Sequence, residues 1–230
     1  MEAWYKEIAG ADDREQVLAA DYSPHADFLA SLRGSILDVG GGAGLTARFL
    51  RADANYVVVD PLSLWNSLEW RDFGAAFRAG GPSPRFVDAE GENLPFGDDS
   101  FDAVLSLWSL NHVRNARACV AEMVRVLKAG GVGRIVLEDT EPRWSDLLRD
   151  GAGRLAARLT KRPYRARISC PLIKGFRMKL TGSWEVAEDH IAVRERDVLA
   201  WLAAGTRVER RQWLAGYLTI DFIKPAALVG

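Results

Sequence analysis

Cysteine is scarce in this sequence, since Cys119 and Cys170 are the only two among 230 residues. They lie far apart, and neither belongs to a Cys-x-x-Cys pair, which is the spacing of many zinc and redox sites. A disulfide framework and a cysteine-based metal site are therefore excluded as organising features. Both cysteines are predicted to be reduced and structural.

The sequence also lacks long apolar runs. No segment approaches the roughly 20 consecutive apolar residues that a membrane-spanning helix needs. The first residues, Met1-Glu-Ala-Trp-Tyr-Lys-Glu, lack the basic and apolar regions of a secretory signal. We therefore expect no transmembrane segment and a cytoplasmic location. The length favours one hydrophobic core with an insertion over two equal domains.

Net charge is low, at −1, but the charge is unevenly distributed. Between residues 143 and 179, eleven lysines and arginines stand against two acidic residues. Such a segment can form a lid that contacts phosphate, a nucleotide-linked sugar, an acidic lipid surface or RNA. The alternative is a solvated helical face. Nucleic acid is the less favoured partner, because the overall charge is slightly negative and no recognised RNA-binding motif is present.

Short apolar runs alternate with helical patterns through the centre of the chain. Strands are predicted at 35–39, 56–60, 85–88, 101–106 and 133–138. A helix is predicted over 116–127, closed by Lys128 and two glycines as a C-cap. Alternating β and α units predict an α/β fold with a Rossmann-like, doubly wound, mostly parallel sheet and helices on both faces.

The two ends of the chain depart from this alternation. Residues 1–34 predict helices, one of them beginning at Ser23-Pro24, and are expected to form an N-terminal helical cap. Residues 141–230 begin with the basic insertion after strand 5. They continue with a helix near 197–204 and β-like alternation over 208–223. This part is expected to complete the same domain.

A glycine-rich loop follows the first predicted strand. Asp38-Val-Gly40-Gly-Gly42-Ala-Gly44 fits the pattern D-x-G-x-G-x-G, and a helix is predicted after it from Leu45. Glycines let the backbone turn tightly and let a ligand approach the main chain. A dinucleotide fingerprint would need glycine where Leu45 stands, so the pattern suits S-adenosylmethionine better than NAD. By itself, the loop is equally consistent with a structural turn.

Acidic residues at the ends of the next two strands support a nucleoside site. Asp60 lies twenty residues after Gly40, where a carboxylate can accept hydrogen bonds from both ribose hydroxyls. Asp88, Ala89 and Glu90 end the third strand, where a carboxylate and a backbone amide can bind the adenine edge. The alternatives are a strand-end cap at Asp60 and an acidic surface turn at Asp88.

Further motifs follow in order: Ile36-Leu-Asp-Val-Gly-Gly-Gly-Ala-Gly, Asp88-Ala-Glu-Gly-Glu-Asn-Leu-Pro-Phe, Phe101-Asp-Ala-Val, Asn111-His112-Val and Glu122-Met-Val-Arg-Val-Leu-Lys-Ala-Gly-Gly. Together they resemble class I S-adenosylmethionine-dependent methyltransferases of the ubiquinone/menaquinone-biosynthesis-like group. The resemblance covers about residues 35 to 140, and several ordered matches are far more specific than one. It implies the fold, S-adenosylmethionine as cofactor, methyl transfer, and a cofactor-binding core over 35–140.

The resemblance also implies a set of cofactor contacts. Asp38, Gly40, Gly42 and Gly44 would surround the methionine and ribose, Asp60 would bind ribose, Asp88 and Ala89 would bind adenine, and Ser106 would border the sulfonium. Pro61 and Glu90 complete the expected set. One departure is the apolar run Pro61-Leu-Ser-Leu-Trp65, where relatives commonly show a more polar turn.

Acceptor chemistry points to three further residues. Methyl transfer is an in-line displacement, so alignment and exclusion of water supply much of the rate. A hydroxyl acceptor must lose its proton, and His112, just past the fourth strand, is the candidate base because imidazole titrates near neutrality. Glu138 and Asp139 end the fifth strand and can hold an amine, sugar hydroxyls or a cation. Pocket shaping or helix capping are the alternatives, and no metal is predicted because the carboxylates lack a histidine partner.

The leading hypothesis is a small-molecule methyltransferase that acts on oxygen or nitrogen of a metabolite or saccharide, with segment 141–180 shaping the acceptor pocket. Five aromatic residues can line such a pocket, although aromatics more often belong to a core: Trp4, Tyr5, Tyr22, Trp108 and Trp144. One alternative is a methyltransferase for RNA or protein that docks through segment 143–179. Another is a non-catalytic cofactor-binding protein.

Overall fold

Seven strands form one sheet in the computed structural model, which describes residues 14–61, 68–138, 140–161, 172–181 and 190–226. The strands are β1 (Ser35–Val39), β2 (Asn55–Val59), β3 (Arg85–Val87), β4 (Phe101–Leu107), β5 (Leu127–Leu137), β6 (Arg207–Leu214) and β7 (Tyr217–Ile223). Their order is β3-β2-β1-β4-β5-β7-β6. The pairs among β1 to β5 are parallel, whereas β7 runs antiparallel to both β5 and β6.

Helices flank the sheet in the described part of the chain. They are α1 (Arg14–Tyr22), α2 (Ala26–Ser31), α3 (Leu68–Phe77), α4 (Ala116–Val126), α5 (Trp144–Thr160), α6 (Leu172–Thr181) and α7 (Glu195–Leu202), with 3₁₀ helices at Ser23–His25 and Leu45–Phe49. None of these helices is long and apolar enough to cross a membrane.

The core has two layers because neighbouring residues of a strand face opposite sides of the sheet. In β1, Ile36 packs in the cluster that contains Leu29 of α2, whereas Leu37 packs in the cluster that contains Val120 of α4. All four side chains are completely buried. The predicted doubly wound, mostly parallel α/β sheet is therefore confirmed.

The strand order reverses between β1 and β4, which lie side by side although β2 and β3 come between them in sequence. At such a switch point the connections leave in opposite directions and open a crevice at the carboxyl ends of the strands, where ligands bind in open α/β sheets. The glycine loop follows β1 at this edge, so the topology places the predicted cofactor loop at the crevice.

Two local predictions are wrong. The helix after the glycine loop is a five-residue 3₁₀ helix, Leu45–Phe49. It is short since Leu50 is already extended, and short helical segments favour 3₁₀ geometry. The expected glycine C-cap of α4 is absent from its described end, since buried Leu127 turns straight into β5 and pairs with Phe101. Lys128 and the glycines after it therefore lie within β5.

Other local features follow the predicted pattern. Pro24 occupies the first turn of the 3₁₀ helix Ser23–His25, where its missing N–H costs nothing. The alternation over 208–223 becomes the antiparallel pair β6 and β7. Cys119 is a free, buried thiol, and burial raises its pKa to about 12, which agrees with the predicted structural role. Cys170 lies outside the described residues.

Helices α5 and α6 carry the described part of the basic segment. Three of its cations pair with carboxylates: Arg143 with Glu195, Arg154 with Asp150 of the same segment, and Lys179 with Glu141. Helix α5 also exposes three leucines to solvent: Leu148, Leu155 and Leu159. A role for this segment towards an acceptor stays a prediction.

Candidate functional site

A cavity of about 360 Å³ opens at the carboxyl ends of β1, β2 and β4. Small-molecule sites commonly occupy about 300–1,000 Å³, so this cavity can hold a nucleoside-sized ligand. Its wall includes Gly40, Asp60 and Glu90 as well as Trp108 and His112. It occupies the switch-point crevice that the topology predicts.

The glycine loop depends on left-handed backbone at three positions. Gly40, Gly42 and Gly44 have φ angles of 71°, 52° and 69°, values that side chains strongly disfavour. Gly40 also lies close to the loop that follows β4, residues 108–115, called here the β4 loop. An added Cβ at Gly40 would sit 2.3 Å from the Cβ of Ser109 in that loop. Of the three glycines, Gly40 lines the cavity. Gly42 and Gly44 shape the loop, and direct cofactor contacts from them stay predictions.

Asp60 lies on the cavity wall, at the end of β2. Its Oδ2 accepts a hydrogen bond of 3.0 Å from the backbone N–H of Gly42, and its own N–H donates to the carbonyl of Val87. These two bonds fix the carboxylate between the glycine loop and the end of β3. A carboxylate held in this position fits the predicted ribose contact, and Pro61 beside it also lines the cavity.

We expect Asp60→Asn to weaken S-adenosylmethionine binding about 10–100-fold, because hydrogen bonds to a charged group contribute about 1.5–3 kcal/mol. The asparagine oxygen can still accept the Gly42 N–H, so the thermal stability of the variant should match wild type. Calorimetric titration measures the affinity. An unchanged dissociation constant would remove Asp60 from the cofactor site.

Asp38 lies beneath the glycine loop and is not among the residues that line the cavity. It is 1% exposed, and its Oδ2 accepts hydrogen bonds of 2.7 Å from the hydroxyls of Thr46 and Tyr56. Burial raises the pKa of this carboxyl, an effect that the two hydroxyl donors oppose. Asp38 therefore fastens the glycine loop to β2 and to the 3₁₀ helix Leu45–Phe49. A contact of Asp38 with the cofactor stays a prediction.

Ser106 is also buried and is not among the residues that line the cavity. Its hydroxyl shares a 2.8 Å hydrogen bond with the hydroxyl of Ser109, which in turn donates to the carbonyl of Val39 at 2.6 Å. Ser109, which sequence reasoning missed, is the serine on the cavity wall. The chain of hydroxyls ties β4 to β1, so Ser106 supports the surface that it was predicted to form.

The residues predicted at the adenine end differ in whether they line the cavity. Among the described residues, Glu90 lines the cavity, whereas Asp88 and Ala89 do not. Asp88 is exposed to solvent, and Glu90 forms an ion pair of 3.3 Å with Arg114, which also lines the cavity. Roles for Asp88 and Ala89 in binding adenine stay predictions. Glu90 is the one of the three residues that lies on the cavity wall.

Trp108 forms part of the cavity wall directly after β4. Its φ of 57° is left-handed, which costs energy for a bulky residue and is common at functional sites. Tyr22 of α1 packs edge-on against the indole, with the ring centroids 5.0 Å apart. Trp144, by contrast, is 45% exposed on α5 and packs near Phe176. Trp4 and Tyr5 lie outside the described residues.

Three side chains converge beside the cavity and are called here the imidazole cluster: His112, Glu138 and His190. The Nε2 of His112 lies 3.3 Å from Oε2 of Glu138, and the Nε2 of His190 lies 3.5 Å from the same oxygen. The two rings meet edge to face, with centroids 4.2 Å apart. His112 reaches the cavity wall, so the cluster presents one of its imidazoles to a ligand there.

Asn111 holds the segments that carry the imidazole cluster. It is completely buried, its carbonyl accepts the N–H of Ile191 at 2.7 Å, and its side-chain N–H donates to the Ile191 carbonyl at 3.3 Å. Its side-chain oxygen accepts the backbone N–H of Glu138. One residue therefore joins the β4 loop, the end of β5 and the chain around His190.

The cluster corrects one expectation and extends another. Sequence reasoning found no histidine partner for Glu138, but the structure supplies His112 and His190. Helix α1 also brings in Asp21, whose pKa is raised by burial and then by the negative charge of Glu138. His190 had no motif around it that marked it as functional. Asp139, the third predicted acceptor-side residue, lies outside the described residues.

Residues 37–135 match the family described as "Methyltransferase domain". The chain is 34% identical over 144 residues to a demethylmenaquinone methyltransferase from Clavibacter sepedonicus, covering 60% of this chain and 56% of that protein. It is 37% identical over 116 residues to the ubiquinone/menaquinone biosynthesis C-methyltransferase UbiE of Vibrio parahaemolyticus, covering 46% and 42%. The chain thus spans about half the length of these curated relatives.

Solved structures agree on the fold. Magnesium protoporphyrin IX methyltransferase from Synechocystis PCC 6803 superposes with a TM-score of 0.60 at 14% identity, over 96% of this chain and 92% of that one. Residues 37–135 therefore match a methyltransferase domain and are similar to the ubiquinone/menaquinone biosynthesis group. The predicted fold class is confirmed, and the family match agrees with the predicted S-adenosylmethionine cofactor and methyltransferase class.

Proposed function

We propose that this protein transfers the methyl group of S-adenosylmethionine to a small acceptor molecule that bears a hydroxyl group on an aromatic ring. One observation carries the proposal: a single cavity is lined both by the cofactor loop, at Gly40 and Asp60, and by an imidazole, at His112. Donor and acceptor groups can therefore meet without leaving the cavity.

The lining of the cavity supports an aromatic acceptor. Leu107, Trp108 and Val113 contribute apolar surface close to His112, and aromatic rings pack favourably on such side chains. A wall of this kind, with a few polar groups, is typical of sites that orient a small planar molecule.

A ring hydroxyl makes the role of His112 concrete. The acceptor proton moves to Nδ1 of the imidazole, which has no hydrogen-bond partner among the described residues. Nε2 lies 3.3 Å from the Glu138 carboxylate, so the positive charge that forms on the ring is stabilised. The acceptor then attacks the methyl carbon, the carbon–sulfur bond breaks, and its electron pair stays on the sulfur of S-adenosylhomocysteine. His112 is the proposed catalytic residue, and Glu138 is the residue that positions it.

The names of the relatives bear on the acceptor atom. Two of them are described as methyltransferases of demethylmenaquinone and of ubiquinone or menaquinone biosynthesis, the latter as a C-methyltransferase. Deprotonating a ring hydroxyl makes both the oxygen and the adjacent ring carbons nucleophilic. The same His112 chemistry therefore serves O-methylation and C-methylation, and we propose an acceptor oxygen or ring carbon ahead of an amine.

The RNA or protein alternative depends on segment 143–179. Arg143 and Lys179 are already paired with acidic residues outside the segment, which reduces the charge available to a polyanion. A methyl-transfer assay separates the two classes. The full chain is incubated with S-adenosylmethionine labelled in its methyl group and with a 1,4-dihydroxynaphthalene, a hexose or bulk tRNA.

We expect label in the dihydroxynaphthalene, little in the hexose and none in the tRNA. Mass spectrometry of the product then distinguishes a methoxy group from a methylated ring carbon. Label found only in tRNA would overturn the proposal in favour of the macromolecular alternative. Binding of S-adenosylmethionine without transfer to any small acceptor would also contradict it.

A further inference from the structure

The spacing within the imidazole cluster is unusual for a simple set of hydrogen bonds. N–H···O hydrogen bonds in proteins are usually about 2.7–3.2 Å long. The two imidazole nitrogens lie 3.3 and 3.5 Å from the same Glu138 oxygen. Both distances exceed that range, although the side chains are largely shielded from solvent, with exposures of 12% for each histidine and 27% for Glu138.

These distances match the spacing of ligands around one metal ion. Two ligand atoms that each lie about 2.0–2.2 Å from a tetrahedral zinc ion are about 3.3–3.6 Å from one another. The three candidate ligand atoms of His112, Glu138 and His190 all lie within 4.8 Å of one another. A small cation between them would therefore need little rearrangement of the side chains.

Charge around the cluster also favours a cation. Among the described residues, Glu138 pairs with the two imidazoles and with no lysine or arginine. A largely shielded carboxylate costs free energy unless a positive charge compensates it.

We propose that His112, Glu138 and His190 form a binding site for a divalent transition-metal cation at the acceptor end of the cavity. Two imidazoles and one carboxylate are a ligand set suited to zinc, manganese or iron(II), and a site with three protein ligands keeps a coordination position free. Since His112 lies on the cavity wall, that free position can face a molecule in the cavity.

This site would refine the role of the cluster, and that refinement rests on the proposed function. A cation coordinated by the acceptor's ring hydroxyl would lower the pKa of that hydroxyl and hold the ring in place. With the cation bound, His112 would serve as a ligand in place of a base, and the hydroxyl proton would leave to solvent. Metal-free His112 acting directly as a base is the alternative that the metal-binding experiment separates.

Imidazole NMR on the otherwise unmodified chain tests the site directly, because the sequence contains only three histidines. The protein is prepared without a polyhistidine tag and stripped with a chelator. It carries Cys170→Ser so that this thiol cannot capture zinc. One equivalent of zinc should shift the ring-nitrogen signals of His112 and His190. Buried His25, which contacts Arg134, is the internal control and should not respond.

Two variants then test the ligand set by calorimetric titration with zinc. His190→Ala and Glu138→Gln should each weaken binding by more than the about 10–100-fold typical of residues that only orient ligands. Magnesium prefers all-oxygen sites and should leave the imidazole signals unchanged. Unmoved His112 and His190 signals at one equivalent of zinc, or full affinity in both variants, would overturn the site.

Failure of the metal site and failure of the proposed function give different results. If zinc shifts both imidazoles but no small acceptor is methylated, the site stands and the acceptor proposal falls. If methyl transfer occurs and is insensitive to chelators while zinc leaves the imidazoles unmoved, the metal site falls and His112 acts as the base.

Discussion

His112→Ala is expected to lower the rate of methyl transfer about 10²–10⁴-fold, the range by which a positioned proton-transfer group accelerates a reaction. His112 is the member of the imidazole cluster that lines the cavity, and Glu138 lies 3.3 Å from its Nε2. Removing the ring leaves the Asp60 and Gly40 side of the cavity intact. The affinity for S-adenosylmethionine should therefore stay close to that of wild type.

Steady-state assays with the labelled methyl donor measure the rate, and calorimetry measures cofactor affinity in the same samples. His112→Gln serves as a second variant, since an amide keeps polarity at the site but does not accept a proton, and it should be nearly as slow as alanine. Arg117→Ala, at an exposed position in the first turn of α4, is the matched surface control. Full turnover by His112→Ala with bound cofactor would rule out an essential role.

Gly40→Ala is expected to destabilise the fold by about 2–5 kcal/mol and to weaken cofactor binding about tenfold or more. Two effects add at this position. A left-handed φ of 71° is strained for alanine, and the added Cβ would lie 2.3 Å from the Cβ of Ser109. The clash must push the glycine loop away from the β4 loop, and both loops line the cavity.

Gly80→Ala provides the matched control for the backbone effect. Gly80 also has a positive φ, of 90°, but an added Cβ there would meet nothing within 4 Å. This variant should lose only about 1–2 kcal/mol and should bind the cofactor normally. Chemical denaturation gives the stabilities of both variants. Equal losses in stability and affinity would show that close packing of Gly40 against Ser109 is unimportant.

Local sequence patterns predict much of this fold. Strand β1 was predicted at its observed bounds because the apolar run is short and ends in glycines. The 3₁₀ helix after the loop was missed, since helical spacing from Leu45 does not reveal that Leu50 leaves the helix early. Strand β5 begins at Leu127, several residues before the prediction, because pairing with Phe101 is a tertiary contact that outweighs the turn preference of the glycines.

The candidate site was predicted less completely than the fold. Motif spacing located the ends of β1, β2 and β4, and therefore Gly40 and Asp60. It could not tell which of two nearby side chains faces the cavity, as with Ser106 and Ser109, because a short hydrogen-bond chain decides that. His190 is brought next to Glu138 by hydrogen bonds from the backbone and the side chain of Asn111 to Ile191, a long-range pairing without a local signal.

The central claim is that S-adenosylmethionine binds in the cavity between the glycine loop and His112. The most direct measurement is calorimetric titration of S-adenosylmethionine into the full chain, followed by the same titration into Asp60→Asn. One bound equivalent for the wild type and a clearly weaker isotherm for the variant are predicted. A folded wild-type protein that gives no binding, or binding equally tight in the variant, would contradict the claim.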